Sequence, residues 1–242
     1  MRIALISDIH GNALALEAVL ADIAKTGADE IICLGDVATL GPDPCAVMAV
    51  IRARRLRCIM GNHDEFLLVP DMILGYNQMQ AIVDAVDWCR DVLTSDDLDF
   101  IRMFQREMEI PLGNDASLLL FHGSPRSHME MILATTPVDE LDTILAGKQA
   151  AVMAGGHTHV QMLRQHKGQL VVNAGSVGMP FRQDVTAGPP QILAHAEYAT
   201  VEVHNGATHV QLHRVALDRK ALHDAAAASA NPMRGMLTVQ YA

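Results

Sequence analysis

Five short polar turns in this sequence carry side chains that can hold metal ions, and a sixth, glycine-rich turn lies at 173–178. Each turn directly follows an apolar stretch with the length and composition of a buried strand. Carboxylates, carboxamides and imidazoles suit Mn, Fe or Zn, and no Cys-rich ligand spacing competes with them. The candidate residues in these turns are Asp8, His10, Asp36, Asn62, His63, His122, His157 and His159.

Eight candidates are more than the roughly four to six ligands that one ion takes, so the pattern favours a site for two ions. Two ions about 3.5–4 Å apart usually share a carboxylate. Asp36 is the expected bridge, because its turn lies between the Asp8 and Asn62 turns in chain order. Any one of these turns has an ordinary interpretation as a polar loop, so the inference depends on all six occurring together.

The elements that carry the first three turns alternate between strand and helix. Apolar strands are predicted over 2–7, 30–34 and 56–60, and helices over 13–25 and 42–54. A β-α-β-α-β order implies parallel strands joined by right-handed crossovers. The carboxyl ends of such strands line one crevice, so the turns are expected to converge there.

Two further strands, over 117–121 and 150–154, end in the His122 and His157 turns. After the His157 turn the pattern changes to hairpins, with Asn205-Gly206 as the clearest hairpin turn. We therefore expect a parallel first half and an antiparallel second half. The predicted fold is mixed α/β, a four-layer α-β-β-α sandwich of two mixed sheets flanked by helices. A single domain is expected to span 1–242, with a frayed tail over about 230–242.

Composition limits the partners and the compartment. Half of the 242 residues are apolar and the formal net charge is −10, which suits a large core but not general binding to nucleic acid or to an anionic membrane. No apolar run approaches the roughly 18 residues of a membrane span. Four cysteines without paired spacing indicate a reduced, cytoplasmic protein. A homo-oligomer stays open, since a hairpin of the second half could offer a sheet edge.

The turns together resemble the calcineurin-like metallophosphoesterase superfamily, in order and spacing, over about residues 1–180. The motifs that carry the resemblance are D-x-H at 8–10, G-D at 35–36, G-N-H-D at 61–64, the lone histidine at 122 and G-H-T-H at 156–159. The stretches SDIHGN, HGSPR and NAGSVGMP are similar to its small bacterial and archaeal branch. The last of these departs from that branch at Ala174, Met179 and Phe181, so no role transfers to Arg182.

The resemblance implies a role for each candidate residue. One metal ion would be held by Asp8, His10, Asp36 and His159, and the other by Asp36, Asn62, His122 and His157. His63 would be the acid next to the leaving group. Asn12 and Arg126 are candidate substrate contacts, with a structural role as the alternative for each. Asp64 either orients a neighbour or caps a helix, and Met129 and Met131 are candidate pocket walls.

The implied activity is that of a dimetal-dependent phosphoesterase. It would hydrolyse small or nucleotide-like phosphodiesters, or monoesters, by in-line attack of a metal-bridging hydroxide, with Mn²⁺ the first choice among Mn, Fe and Zn. The alternatives are a non-catalytic metal-binding scaffold of the same fold and a nuclease. Protein serine/threonine phosphatases and symmetrical diadenosine-tetraphosphate hydrolases are disfavoured. They follow the Gly-Asp turn with Asp-Arg-Gly, where this chain has Val37-Ala38-Thr39.

Overall fold

The computed structural model describes residues 1–113, 116–204 and 207–242. Its strands are β1 (Arg2–Ile6), β2 (Glu30–Cys33), β3 (Arg57–Cys58), β4 (Met108–Gly113), β5 (Ala116–Leu120), β6 (Val152–Gly155), β7 (Met162–His166), β8 (Gln169–Asn173), β9 (His195–His204) and β10 (Ala207–Ala216). Its α-helices are α1 (Ala13–Thr26), α2 (Pro44–Ala53), α3 (Asn62–Leu68), α4 (Ile73–Tyr76), α5 (Gln80–Val92), α6 (Ser95–Arg102), α7 (Val138–Ile144), α8 (Arg219–Ala228) and α9 (Arg234–Tyr241).

The first sheet combines strands from both ends of the chain, in the order β10-β9-β1-β2-β3. Its strands β1, β2 and β3 are parallel, as the crossover helices α1 and α2 require. Strand β9 is antiparallel to both β1 and β10. The C-terminal hairpin thus extends the sheet of the N-terminal strands. The predicted hairpin turn, Asn205-Gly206, lies outside the described residues.

The second sheet has the order β4-β5-β6-β8-β7. Strands β5, β6 and β8 are parallel to one another, whereas β4 and β7 are antiparallel edges. The expectation of a wholly antiparallel second half is therefore wrong for β8. The hairpin of β7 and β8 places β7 at the edge of the sheet, and β8 takes the inner position beside β6.

The four-layer sandwich is confirmed by the two faces of β1. Its residues Ile3 and Leu5 belong to the apolar cluster between the two sheets, with residues of β5 and β6. Its residues Ala4 and Ile6 face the other way, into the cluster formed with α1 and α2. The outer face of the second sheet is covered by α7. Because β1 is buried on both faces, its sequence is apolar at every position from 3 to 6.

The C-terminal tail is a packed helix, which corrects the expectation that it frays. Leu237 and Tyr241, one turn apart on α9, are buried against Leu222 and Ala226 of α8. Asn231 precedes this helix and donates a hydrogen bond of 2.7 Å to the carbonyl of Gly41. The tail is thereby tied to the loop after β2. Among the described helices, none has the length and apolar character needed to cross a membrane.

Candidate metal centre

The six polar turns meet at one edge of the sandwich. Those at 8–12, 36–42 and 61–64 follow the parallel strands β1, β2 and β3, and those at 122–126 and 156–159 follow β5 and β6. The carboxyl ends of both sets of parallel strands point to this edge. The glycine-rich turn after β8 ends beside them, where Gly178 donates a backbone hydrogen bond to the carbonyl of Asp8.

The first cluster of candidate ligands contains Asp8, His10 and His159. The Nε2 atoms of the two histidines are 3.1 Å apart. The Oδ1 atom of Asp8 lies 3.3 Å from His159 Nε2 and 3.9 Å from His10 Nε2. All three side chains are buried, so three donor atoms share one small enclosed space.

The second cluster contains Asp36, His122 and His157, and Asn62 extends it. His122 Nε2 lies 3.3 Å from Asp36 Oδ2 and 3.2 Å from Asn62 Oδ1. Asp36 Oδ2 is also 3.8 Å from His10 Nε2 in the first cluster. The carboxylate of Asp36 therefore faces both clusters, which is the position that a bridging ligand needs.

Hydrogen bonds on the far side of the rings fix which nitrogen faces the site. His122 Nδ1 and His159 Nδ1 each lie 2.7 Å from a backbone carbonyl, that of Leu34 and that of Met179. A carbonyl only accepts, so each Nδ1 carries a proton and Nε2 is the nitrogen that faces inward, where its lone pair would be free for a metal once the ring is neutral. This outer hydrogen bond is the usual arrangement for a histidine that binds a metal.

Several buried polar atoms of the site have no hydrogen-bond partner among the described residues. They are Asp8 Oδ1, Asn62 Nδ2 and His63 Nδ1. Buried polar atoms are nearly always paired, because an unpaired one costs roughly 1–3 kcal/mol. Inward-facing lone pairs and an unpaired carboxylate oxygen are stable together around a cation. The residues present therefore fit two metal ions.

The carboxylates of Asp8 and Asp36 stabilise positive charge at this edge. Burial would lower the pKa of His122, but Asp36 and Asp8 outweigh it and raise this pKa to about 10. Burial, together with His159, lowers the pKa of His10 to about 3. Burial would raise the pKa of Asp8, yet His159 and His122 lower it to about 2. The carboxylates thus stay ionised, and a cation would displace the proton on His122.

The backbone of the ligand turns is unusual. Positive φ angles occur at Asp8 (52°), His10 (46°), Asp36 (58°), His157 (70°) and His159 (58°). Residues other than glycine rarely adopt this left-handed conformation, and each such residue costs on the order of 1 kcal/mol or more. It persists where surrounding contacts fix the turn. Such strain concentrates at functional sites, because it aims side chains that an ordinary turn would direct elsewhere.

Asp64 performs both of the functions that the sequence left open. Its carboxylate accepts hydrogen bonds from the backbone N–H groups of Asp36, Val37 and Gly61, at 2.8, 2.9 and 2.9 Å. The last of these caps α3, and the first two hold the Asp36 turn. Burial and the charge of Asp36 raise the pKa of Asp64 to about 7 despite these donors.

Gly61 lies against Asp36 so closely that no larger residue fits. A Cβ atom here would overlap the carboxylate of Asp36 and lie 2.5 Å from its backbone nitrogen. We expect Gly61→Ala to lower the free energy of unfolding by about 1–3 kcal/mol and to reduce bound metal, as measured by urea denaturation and elemental analysis. Gly75→Ala is the matched control, because a Cβ at Gly75 meets nothing within 4 Å. Equal stability of the two variants would contradict the prediction.

The two predicted substrate contacts are engaged in hydrogen bonds within the protein. Asn12 accepts from the backbone nitrogen of Ala15, which caps α1, and donates to the carbonyl of Gly178 at 3.0 Å. Arg126 is paired with Glu130. Neither side chain lines the cavity described next, so the structural alternative accounts for their observed contacts.

A cavity of about 600 Å³ opens over the two clusters, and we refer to it as the site cavity. His10, His63, His157 and His159 form its floor. The ring of Phe181 stacks on that of His159, with centroids 4.2 Å apart. Sequence reasoning missed Tyr76, which also lines the cavity. No motif marks Tyr76, whereas Phe181 directly follows the glycine-rich stretch at 173–180 and stands out in the sequence as a departure from the family branch.

The site cavity also decides between the two methionines predicted as pocket walls. Met131 lines the cavity. Met129 instead packs beside the apolar cluster of Phe66, Ile73 and Val86. His63 stays outside both ligand clusters. Its ring centroid is 5.1 Å from that of His10, and its side chain borders the open space.

Comparisons with known proteins agree with this geometry. The calcineurin-like phosphoesterase superfamily domain matches residues 1–206. An uncharacterized protein of Methanocaldococcus jannaschii is 30% identical over 175 residues, which cover 72% of this chain and 69% of that protein. The symmetrical bis(5'-nucleosyl)-tetraphosphatase of Pectobacterium atrosepticum is 27% identical over 146 residues, covering 59% of this chain and 50% of that enzyme. The chain therefore matches only half the length of this curated enzyme.

Solved structures share the fold. One is a metallophosphoesterase from Sphaerobacter thermophilus, with a TM-score of 0.72 and 24% identity over 100% of this chain and 98% of the other. Another is a hypothetical protein from Pyrococcus horikoshii OT3, with a TM-score of 0.77 and 19% identity over 92% and 91%. These two likenesses concern the fold alone. With the family match over residues 1–206, the chain belongs to the calcineurin-like phosphoesterase superfamily.

Proposed function

We propose that this protein hydrolyses small phosphodiesters with the help of two bound metal ions. The observation that supports this most is the carboxylate of Asp36, which faces two ligand clusters at once. His10, His157 and His159 of these clusters line the site cavity. A phosphodiester has one anionic phosphoryl group. Two metal ions held side by side in the two clusters could each contact one of its oxygens. Mn²⁺ is our first choice of metal, because the Asp, Asn and His ligands accept it.

The residues of the chain have separate tasks in this proposal. Asp8, His10 and His159 would hold one ion, Asn62, His122 and His157 would hold the other, and Asp36 would contribute to both. Bound ions would supply Lewis acidity toward the phosphoryl oxygens and an activated water. His63 holds a proton at the border of the cavity and gives it to the departing ester oxygen, since an imidazole titrates in the useful range.

Hydrolysis of dinucleoside tetraphosphates is a second candidate, favoured by the similarity to the Pectobacterium enzyme. We rank it lower, because none of the described residues that line the site cavity is Lys or Arg. A scaffold role ranks lower still, since every ligand position is filled. The four cysteines are free thiols, which supports a reducing compartment such as the cytoplasm as part of the proposal.

The purified protein with Mn²⁺ is expected to hydrolyse bis(p-nitrophenyl) phosphate, and p-nitrophenyl phosphate more slowly. Release of p-nitrophenolate measures both reactions. Removal of the metal with a chelator should abolish turnover, and added Mn²⁺ should restore it. The reason is that none of the described residues of the ligand clusters can replace a metal ion as Lewis acid. If metal-loaded protein turned over neither ester, the proposal would be wrong.

A further inference from the structure

The walls of the site cavity are largely apolar. Three separate stretches supply them: residues 76–82 around α4, residues 179–192 after the glycine-rich turn, and helix α9. Their apolar lining residues are Tyr76, Met79, Ile82, Met179, Phe181, Val185, Pro189, Pro190, Ile192, Met233 and Met236. A volume of about 600 Å³ is within the usual range for a small-molecule site.

Two of these walls, the 179–192 stretch and α9, are joined by hydrogen bonds. The side chain of Gln240 on α9 accepts from the backbone nitrogen of Ile192 at 3.0 Å and donates to the carbonyl of Pro190 at 3.2 Å. At the base of the same loop, the backbone nitrogen of Phe181 donates to the carbonyl of His159 at 2.9 Å. The loop is therefore held between the last helix and a candidate metal ligand.

Few of the described residues that line the site cavity carry a charge. The described lining contains a single carboxylate, Asp184, and no Lys or Arg. The nearby arginines have other partners: Arg126 pairs with Glu130, and Arg182 lies on the exposed side with a 3.4 Å hydrogen bond to Gln191. A substrate with several phosphates would leave charges in apolar surroundings without a partner, which is costly.

We propose that the site cavity selects phosphoesters that carry one phosphoryl group and a large apolar or aromatic ester group, and disfavours polyphosphates. The proposal rests on the proposed function, because it takes the phosphoryl group to sit at the metal ions. The apolar group would lie between Tyr76, Phe181 and Met236. Burial of its surface supplies the binding free energy, and the two rings favour a flat group.

Binding of phosphonic acids tests this inference without a reaction. Methyl-, hexyl- and phenylphosphonate carry the same head group and differ in the apolar part. Each fully buried methylene is worth roughly a factor of four in affinity. We expect hexyl- and phenylphosphonate to bind the Mn²⁺-loaded protein at least about tenfold more tightly than methylphosphonate by calorimetry. Affinities within about twofold of one another would overturn the inference.

Substitutions on α9 locate the apolar group. Met236 lines the cavity and is 40% exposed, so Met236→Lys is expected to fold. This substitution should reduce the ratio of the hexylphosphonate affinity to the methylphosphonate affinity at least about threefold, because it removes apolar surface and adds charge. Val239→Lys is the matched control, since Val239 is 76% exposed on the same helix and lies outside the cavity lining. A ratio unchanged in Met236→Lys would place the group elsewhere and overturn the inference.

The outcomes separate this inference from the proposed function. Turnover of bis(p-nitrophenyl) phosphate with equal phosphonate affinities would leave the hydrolase proposal intact and remove the selectivity. Graded phosphonate binding without turnover of any ester would retain the selectivity and remove the hydrolysis. Absence of both phosphonate binding and ester turnover in the metal-loaded protein would overturn both.

Discussion

Replacement of Asp36 with asparagine is expected to lower turnover at least about a thousandfold and to reduce bound metal from about two ions per chain. The physical reason is the place of this carboxylate between the two ligand clusters. Its Oδ2 atom lies 3.8 Å from His10 Nε2 and 3.3 Å from His122 Nε2. A neutral carboxamide removes the charge that would hold both ions, and loss of several kcal/mol of charge stabilisation accounts for the expected magnitude.

Asparagine is chosen because it keeps the frame of the site. The Oδ1 atom of Asp36 accepts a 2.8 Å hydrogen bond from the backbone nitrogen of His63, and the amide oxygen of asparagine can accept it as well. Elemental analysis after dialysis and the turnover of bis(p-nitrophenyl) phosphate are the measurements. Asp91→Asn, at an exposed carboxylate of α5, is the control. A variant at Asp36 that kept about two ions and normal turnover would exclude the bridging role.

Replacement of His63 with alanine is expected to lower turnover about 10²–10⁴-fold while metal content stays the same. His63 belongs to neither ligand cluster, borders the site cavity, and has an Nδ1 atom without a partner among the described residues. Burial lowers its pKa, and the charge of Asp36 opposes this. The position of the side chain, outside both ligand clusters and at the cavity border, is what suits it to pass a proton rather than to bind an ion.

The leaving group distinguishes an acid from a structural residue. An alkoxide needs a proton as it departs, whereas p-nitrophenolate is stable without one. The loss in His63→Ala should therefore be larger for a phosphodiester with an alkyl leaving group than for bis(p-nitrophenyl) phosphate, measured as kcat/KM. His223→Ala, at a half-buried histidine of α8 outside the lining of the site cavity, should change neither value. Equal losses for both leaving groups would indicate that His63 acts only through the structure.

The sequence predicted which side chains meet because the relevant information is local. An apolar strand followed by Asp8, Asp36 or Asn62 identifies both the turn and the strand end that carries it. Parallel strands then bring those ends to one edge by a general rule of sheets. The four-layer fold followed from the same pattern. The roles of the ligands and of His63 stay predictions until metal content and turnover are measured.

Other features depend on contacts that no local pattern contains. Asn12 and Arg126 are polar residues in site motifs, and only their partners, Gly178 and Glu130, show that their polar atoms are already engaged. Likewise, the sequence pattern gave no partner for the tail, which was expected to fray. Leu237 and Tyr241 hold the tail in place because they pack against the apolar face of α8.

The sequence by itself determined the kinds of ligand, their order and the sheet edge at which they lie, because these follow from residue type and strand periodicity. The tertiary structure alone decided the left-handed turns that aim the ligands, and the walls of the site cavity. Tyr76, Phe181 and Met236 are far apart in the chain and meet only by packing. Short motifs therefore supply the candidate ligands of this site, whereas the proposed choice of substrate depends on how distant segments fold over them.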